Sequence, residues 1–168
     1  MVVILAVLAL SPQHRHHGQM HMRTKMKPVN EEPAIRAQGK KVERAFETKN
    51  VALFRSVMAS NFQQETPDHK VANLKQVLKG FRDGLAGLTE IDATVNVQWV
   101  KVNGRTATVE DRYWLKAKMR DKKGMHNVRM EGSETVSLKK MGGTWLAYYD
   151  KVHDESFSVD GHVVSHMP

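Results

Sequence analysis

Three glycine-bearing turns cut the C-terminal half of this chain into three long strand-like runs, and that pattern limits the folds open to it. The turns are Val102-Asn103-Gly104-Arg105, Asp121-Lys122-Lys123-Gly124 and Met141-Gly142-Gly143-Thr144. The runs between them are residues 105–120, 125–140 and 144 to about 155. A sixteen-residue strand is about 50 Å long if straight. A chain of 168 residues builds a domain narrower than that, so the sheet must curl. Helical patterning fills the preceding half. Helices followed by hairpin-linked strands predict an α+β domain with one antiparallel sheet, whose hollow side forms a cone-shaped pocket.

The helices are read from periodicity. Ile35, Gly39, Val42 and Phe46 share one face of a helix from about Ala34 to Thr48. Asn50 can cap a second, shorter helix, with Val51, Phe54 and Met58 on one face and Leu53 and Val57 beside it. Asn61 to Thr66 reads as a short extended piece, stopped by Pro67. In the third helix Asp68 is the expected N-cap. The apolar stripe is Val71, Leu74, Leu78, Phe81, Leu85 and Leu88, each worth roughly 1.5–3 kcal/mol when buried. In the strand from Ile91 to Val102 the alternation slips after Trp99, which predicts a bulge.

The ends of the chain differ from its middle. Residues 2–10, VVILAVLAL, are nine apolar residues. A spanning helix needs about 20, so stable membrane insertion is not expected. Nine suits the apolar core of an export signal, which predicts a secreted or periplasmic protein, and a cytoplasmic one if the run has another role. Residues 11–33 read as a His- and Met-rich flexible linker, 34–156 as the folded domain and 157–168 as a flexible tail. The net charge is +8, of which residues 1–30 supply +4, so the domain itself is only mildly basic and a nucleic-acid partner is not expected. There is no cysteine, which excludes disulfides and thiolate metal sites.

The order and spacing of several short pieces resemble the NTF2-like superfamily, of the SnoaL-like type, over about residues 34–156. These are Val42-Glu43-Arg44-Ala45-Phe46, Asn50-Val51-Ala52-Leu53-Phe54, Asn61-Phe62, Asn103-Gly104-Arg105-Thr106-Ala107-Thr108-Val109 and Gly142-Gly143-Thr144-Trp145-Leu146. The resemblance implies a cystatin-like cone, with three N-terminal helices packed on the concave side of a strongly curved antiparallel sheet. Folds of this kind serve ketosteroid isomerase, scytalone dehydratase, limonene epoxide hydrolase, polyketide cyclases and many non-catalytic binding domains. The isomerases place a tyrosine on the first helix. This helix has none, so their acid–base set is not carried over.

Strand alternation then supplies candidate site residues. Asp111 shares a parity with Val109 and Tyr113, and Glu134 shares one with Met130, Val136 and Leu138. These two carboxylates are the candidate catalytic groups. On the last run Trp145, Ala147, Tyr149, Lys151 and His153 share a parity. Tyr113, Tyr149, His153, Phe62 and Trp99 are the candidate ligand-binding residues. The competing reading makes Asp111 or Glu134 one half of a buried salt bridge with Arg112, Lys151 or a helix cation. If parity flips at a bulge, Glu110, Arg112 and Trp114 face inward instead. His14, His16, His17 and His21 are weak candidates for metal ligation, a plain tether being the alternative. No Walker loop, GxSxG, HExxH or GxGxxG is present, and no cofactor is expected. The expected function is binding of a small apolar or amphipathic molecule. A cofactor-free isomerase, dehydratase or hydrolase and a module that dimerises through its sheet are the alternatives.

Overall fold

The computed structural model describes residues 30–167. The apolar run 2–10 and His14, His16, His17 and His21 lie outside them.

Pro33 opens α1 (Glu32–Glu47), whose start lies inside the linker expected to reach residue 33. Just before it, Glu31 accepts hydrogen bonds from Lys140 Nζ (2.5 Å) and Trp145 Nε1 (3.1 Å), fastening the helix start to the sheet. In α2 (Val51–Ser56) the Asn50 side chain accepts from Leu53 N, the expected cap. Met58, expected on that helix, instead opens β1 (Met58–Glu65). A short β2 (Val71–Asn73) precedes α3 (Leu74–Leu85). The cap of α3 is Asn73, not Asp68, and it forms a reciprocal capping box with Gln76. The helix therefore starts later than its periodicity predicts. Val71 is exposed, Leu78 is half-buried, and Val77, Phe81 and Leu85 form the buried stripe.

The strands that follow are β3 (Leu88–Asn103), β4 (Thr106–Asp121), β5 (Gly124–Met141), β6 (Thr144–Val159) and β7 (His162–Met167). The expected tail thus holds the end of β6 and a seventh strand. Asp160 (φ 49°) and Gly161 (φ 82°) make the two-residue turn between them, an Asp-Gly signal suited to a type I′ hairpin. Among the described residues seven strands form one curved, open sheet in the order β2-β1-β6-β5-β4-β3, with β7 also paired to β6. Every pairing is antiparallel except β1 with β6, which is parallel. The sheet is therefore mixed, because β1 comes from the helical half and joins the far edge through α3 and β2.

Three phenylalanines hold the helices together. The rings of Phe46 on α1, Phe54 on α2 and Phe81 on α3 lie 4.2–5.5 Å apart, one pair stacked and two edge-on. α1 lies along β3, the last strand of the sheet order, and satisfies its backbone. Arg36 Nη1 donates to Val97 O and Val95 N donates to Glu43 Oε1, both at 2.9 Å. These bonds occupy the edge backbone at Val95 and Val97. Trp145, Leu138, Val109 and Leu115 form the sheet side of the core. The predicted bulge in β3 is present between Val97 and Trp99.

Candidate functional site

Between the helices and the hollow of the sheet lies a cavity of about 190 Å³. Val42 and Phe46 on α1, Phe54 on α2 and Phe62 on β1 give it an apolar wall. Its polar wall comes from the sheet: Gln64, Tyr113, Glu134, Asp150 and Glu155. A smaller space of about 70 Å³ beneath α1 is lined by Gln38, Asp111 and Glu134 among apolar side chains.

The carboxylates are placed by register. Asp111 on β4 pairs directly with Glu134 on β5. The β4 alternation holds, so Asp111 is inward and only 5% exposed, while Arg112 is exposed. On β6 the alternation breaks twice. Ser137 pairs with Tyr149 but Leu138 with Ala147, so Tyr148 is an extra residue. Glu134 pairs with Val152 but Ser133 with Asp154, so His153 is a second one. Each bulge turns the following side chains to the other face. Asp150 and Val152 therefore face inward between the bulges, and Glu155 and Phe157 face inward after them.

Glu134 stands within hydrogen-bond reach of both Asp111 and Asp150. All three carboxyl groups are held above their ordinary range, first because burial disfavours the charged form. Asp111 is pushed up to about 7, with the Asp150 charge adding to burial. Asp150 reaches about 6, because hydrogen bonds from Gln64 and Glu134 oppose its burial. Glu134 is raised well above the usual carboxylate range, since it faces both neighbours' charges as well as burial. The three groups therefore hold protons more readily than free carboxyls do. Gln64 Nε2 donates to Asp150 Oδ2 at 2.8 Å. Among the described residues one oxygen of Asp111 and one of Asp150 have no hydrogen-bond partner.

Tyr113 crosses the neighbouring strand to donate from its hydroxyl to Glu155 Oε2 at 3.0 Å. Gly132 permits this. A Cβ there would stand 2.6 Å from the Tyr113 oxygen and against the Asp154 carbonyl. Burial and the Glu155 charge raise the Tyr113 hydroxyl, so it stays protonated as a donor.

The structure brings together Asp111, Glu134, Tyr113 and Phe62 around the two cavities and leaves three sequence candidates elsewhere. Tyr149 is turned outward by the first bulge and donates to Glu65 on β1. That bond, with His69 and Lys151, lowers Glu65 to about 2. His153 is exposed and pairs with Thr135 Oγ1 at 2.6 Å. Trp99 is 39% exposed, and its Nε1 donates to Glu110 at 2.5 Å. Among the described residues Asp111 and Glu134 form no ion pair, the competing reading: Arg112 is exposed, Lys151 pairs with Glu65 at 3.4 Å, and no helix cation reaches them. Asp150, Gln64 and Glu155 are the additions. Residues 145–149, Trp-Leu-Ala-Tyr-Tyr, are apolar throughout, so no alternation there announces the phase change. Among the described residues no group of His, Asp or Glu is arranged to hold a metal ion, and no helix is long and apolar enough to cross a membrane.

No protein-family model and no curated protein sequence matches the chain. Solved structures do. A conserved protein from Planctomyces limnophilus superposes with a TM-score of 0.64 at 16% identity, over 72% of this chain and 93% of that one. An NTF2-like protein of unknown function from Shewanella oneidensis gives 0.54 at 14%, over 72% and 97%. A protein of unknown function with a cystatin-like fold from Nostoc punctiforme gives 0.56 at 15%, over 74% and 91%. These likenesses show the architecture of the chain: it has the NTF2-like, or cystatin-like, fold.

Proposed function

We propose that the protein is a small-molecule-binding domain of the SnoaL-like type, taking one amphipathic ligand in its cone. The observation that carries this reading is the cavity itself: about 190 Å³, with aromatic and aliphatic side chains on one wall and carboxyl groups on the other. A dry apolar cavity of roughly 150 Å³ already admits benzene, so this space suits a ring with a short polar arm. Ligand sites generally combine an apolar wall with a few placed polar groups in this way. Indole is a suitable first probe. Titrated into the full chain and followed by calorimetry, it should bind saturably at one site. Val136→Phe, which fills the cavity, should abolish that binding while the fold is retained by circular dichroism. Absence of saturable binding by the unaltered protein counts against the reading.

A second reading is favoured by one specific feature, the contact of Glu134 with both Asp111 and Asp150, all three held above the ordinary carboxylate range. In such a cluster a carboxyl that keeps its proton is a general acid next to one that has lost it, a general base. That pair suits a cofactor-free isomerase, dehydratase or hydrolase, with Asp111 or Asp150 taking a proton and Glu134 supplying one. Turnover in this reading falls at least 100-fold in Glu134→Gln and shows an acid limb near pH 6–7. An active enzyme with an unchanged profile in that variant excludes it.

A further inference from the structure

Resting on the binding reading above, we infer that the ligand is an organic cation, a protonated amine carried on an apolar ring or chain. Four carboxyl-bearing side chains, Asp111, Glu134, Asp150 and Glu155, line the two cavities. Among the described residues no lysine, arginine or histidine lines either one. A buried carboxylate normally finds a cation or a full set of donors. Here Asp150 has one donor from the protein backbone and side chains outside the cluster, Gln64, and its second oxygen has none. Asp111 likewise leaves Oδ1 without a partner. Both residues are 5% exposed; Asp150 borders the larger cavity and Asp111 the smaller, so a group held in the larger cavity meets Asp150.

An ammonium group meets this need better than the other candidates. It carries three N–H donors and no acceptor, so every contact it makes with an oxygen of the cluster is favourable. A carboxylate or phosphate ligand meets like charge with nothing to offset it. A neutral hydroxyl offers Asp150 one donor and no positive charge. Among the described residues no group of carboxyls is arranged to hold a bare metal ion. The rest of the molecule lies against Phe46, Phe54 and Phe62, which accept a ring or a short alkyl chain. The volume of about 190 Å³ limits that body to one ring.

Three probes of nearly equal shape separate the outcomes: 2-phenylethylamine, propylbenzene and 3-phenylpropionate, each titrated into the full chain at pH 7.5 by calorimetry. The expected result is saturable binding of the amine at least tenfold tighter than of propylbenzene, with 3-phenylpropionate the weakest. In Asp150→Asn the ratio of amine to propylbenzene affinity should fall at least tenfold. Propylbenzene binding as well as or better than the amine overturns the cation inference and leaves the cavity reading standing. An amine preference that persists unchanged in both Asp150→Asn and Glu134→Gln also overturns it, because the amine is then held elsewhere. If none of the three probes binds, the cavity reading itself fails.

Discussion

The ladder between β4 and β5 and the ladder between β5 and β6 share a strand and behave differently. The first runs without interruption from Thr106–Lys139 to Asp121–Gly124. The buried residues of its β4 follow simple alternation, Asp111 included. The second slips at Tyr148 and again at His153. Between those points β6 shows the cone the opposite set of side chains from the one its parity predicts. Asp150 and Val152 enter, and Tyr149, Lys151 and His153 leave. The two ladders divide the work: the regular one positions a pair of carboxyls, and the irregular one adds a third beside them. Bulges bend strands and re-aim side chains, so the curvature that makes the cone and the acid cluster within it have a common origin.

The largest effect is expected at the regular ladder. Gly132→Ala places a methyl group against the Tyr113 ring and the Asp154 carbonyl. It should cost roughly 3 kcal/mol by urea denaturation, the upper end for overpacking. A cost below about 0.5 kcal/mol would mean that Tyr113 does not cross β5 there. Next comes the charge brought in by the irregular ladder. A carboxyl whose folded pKa is raised contributes stability that is present below its unfolded pKa and is lost as pH rises through the folded value. For Asp150 that window is from about 4 to about 6, and for Asp111 from about 4 to about 7. Stability of the unaltered chain should therefore fall between pH 4 and 7 on their account. Asp150→Asn should flatten that fall and raise stability at pH 8 by on the order of 2 kcal/mol. Destabilisation at pH 8 with an unchanged profile would place Asp150 in water. The smallest effects belong to the residues that the bulges expel. Tyr149→Phe loses the hydrogen bond to Glu65 and should cost about 1 kcal/mol. His153→Ala, at an exposed position, should cost less than about 0.5 kcal/mol. A larger loss at His153 would return it to the cone and erase the distinction between the ladders.

This division also explains what the sequence discloses. The α+β class, the long hairpins and the placement of Asp111 and Glu134 all depend on local alternation and glycine turns, which are written residue by residue. The β3 bulge is visible because polar and apolar residues exchange phase after Trp99. At Tyr148 the neighbours on both sides are apolar, so a phase change leaves no mark. The parallel pairing of β1 with β6 is equally silent, since it joins residues more than 80 positions apart through no shared local signal. Gln64 reaches Asp150 only through that pairing. The start of α3 was obscured for a different reason: Val71 continues the helical stripe in sequence but precedes the Asn73 cap, which sets where the helix begins.

Carbon-13 NMR titration of the carboxyl carbons tests the buried carboxyl triad most directly. Asp150 should titrate near 6 and Asp111 near 7, with Glu134 well above the usual carboxylate range. Titration of Asp150 at the ordinary aspartate value of about 3.9 would contradict it, because a carboxyl turned outward by an unbroken β6 ladder behaves that way.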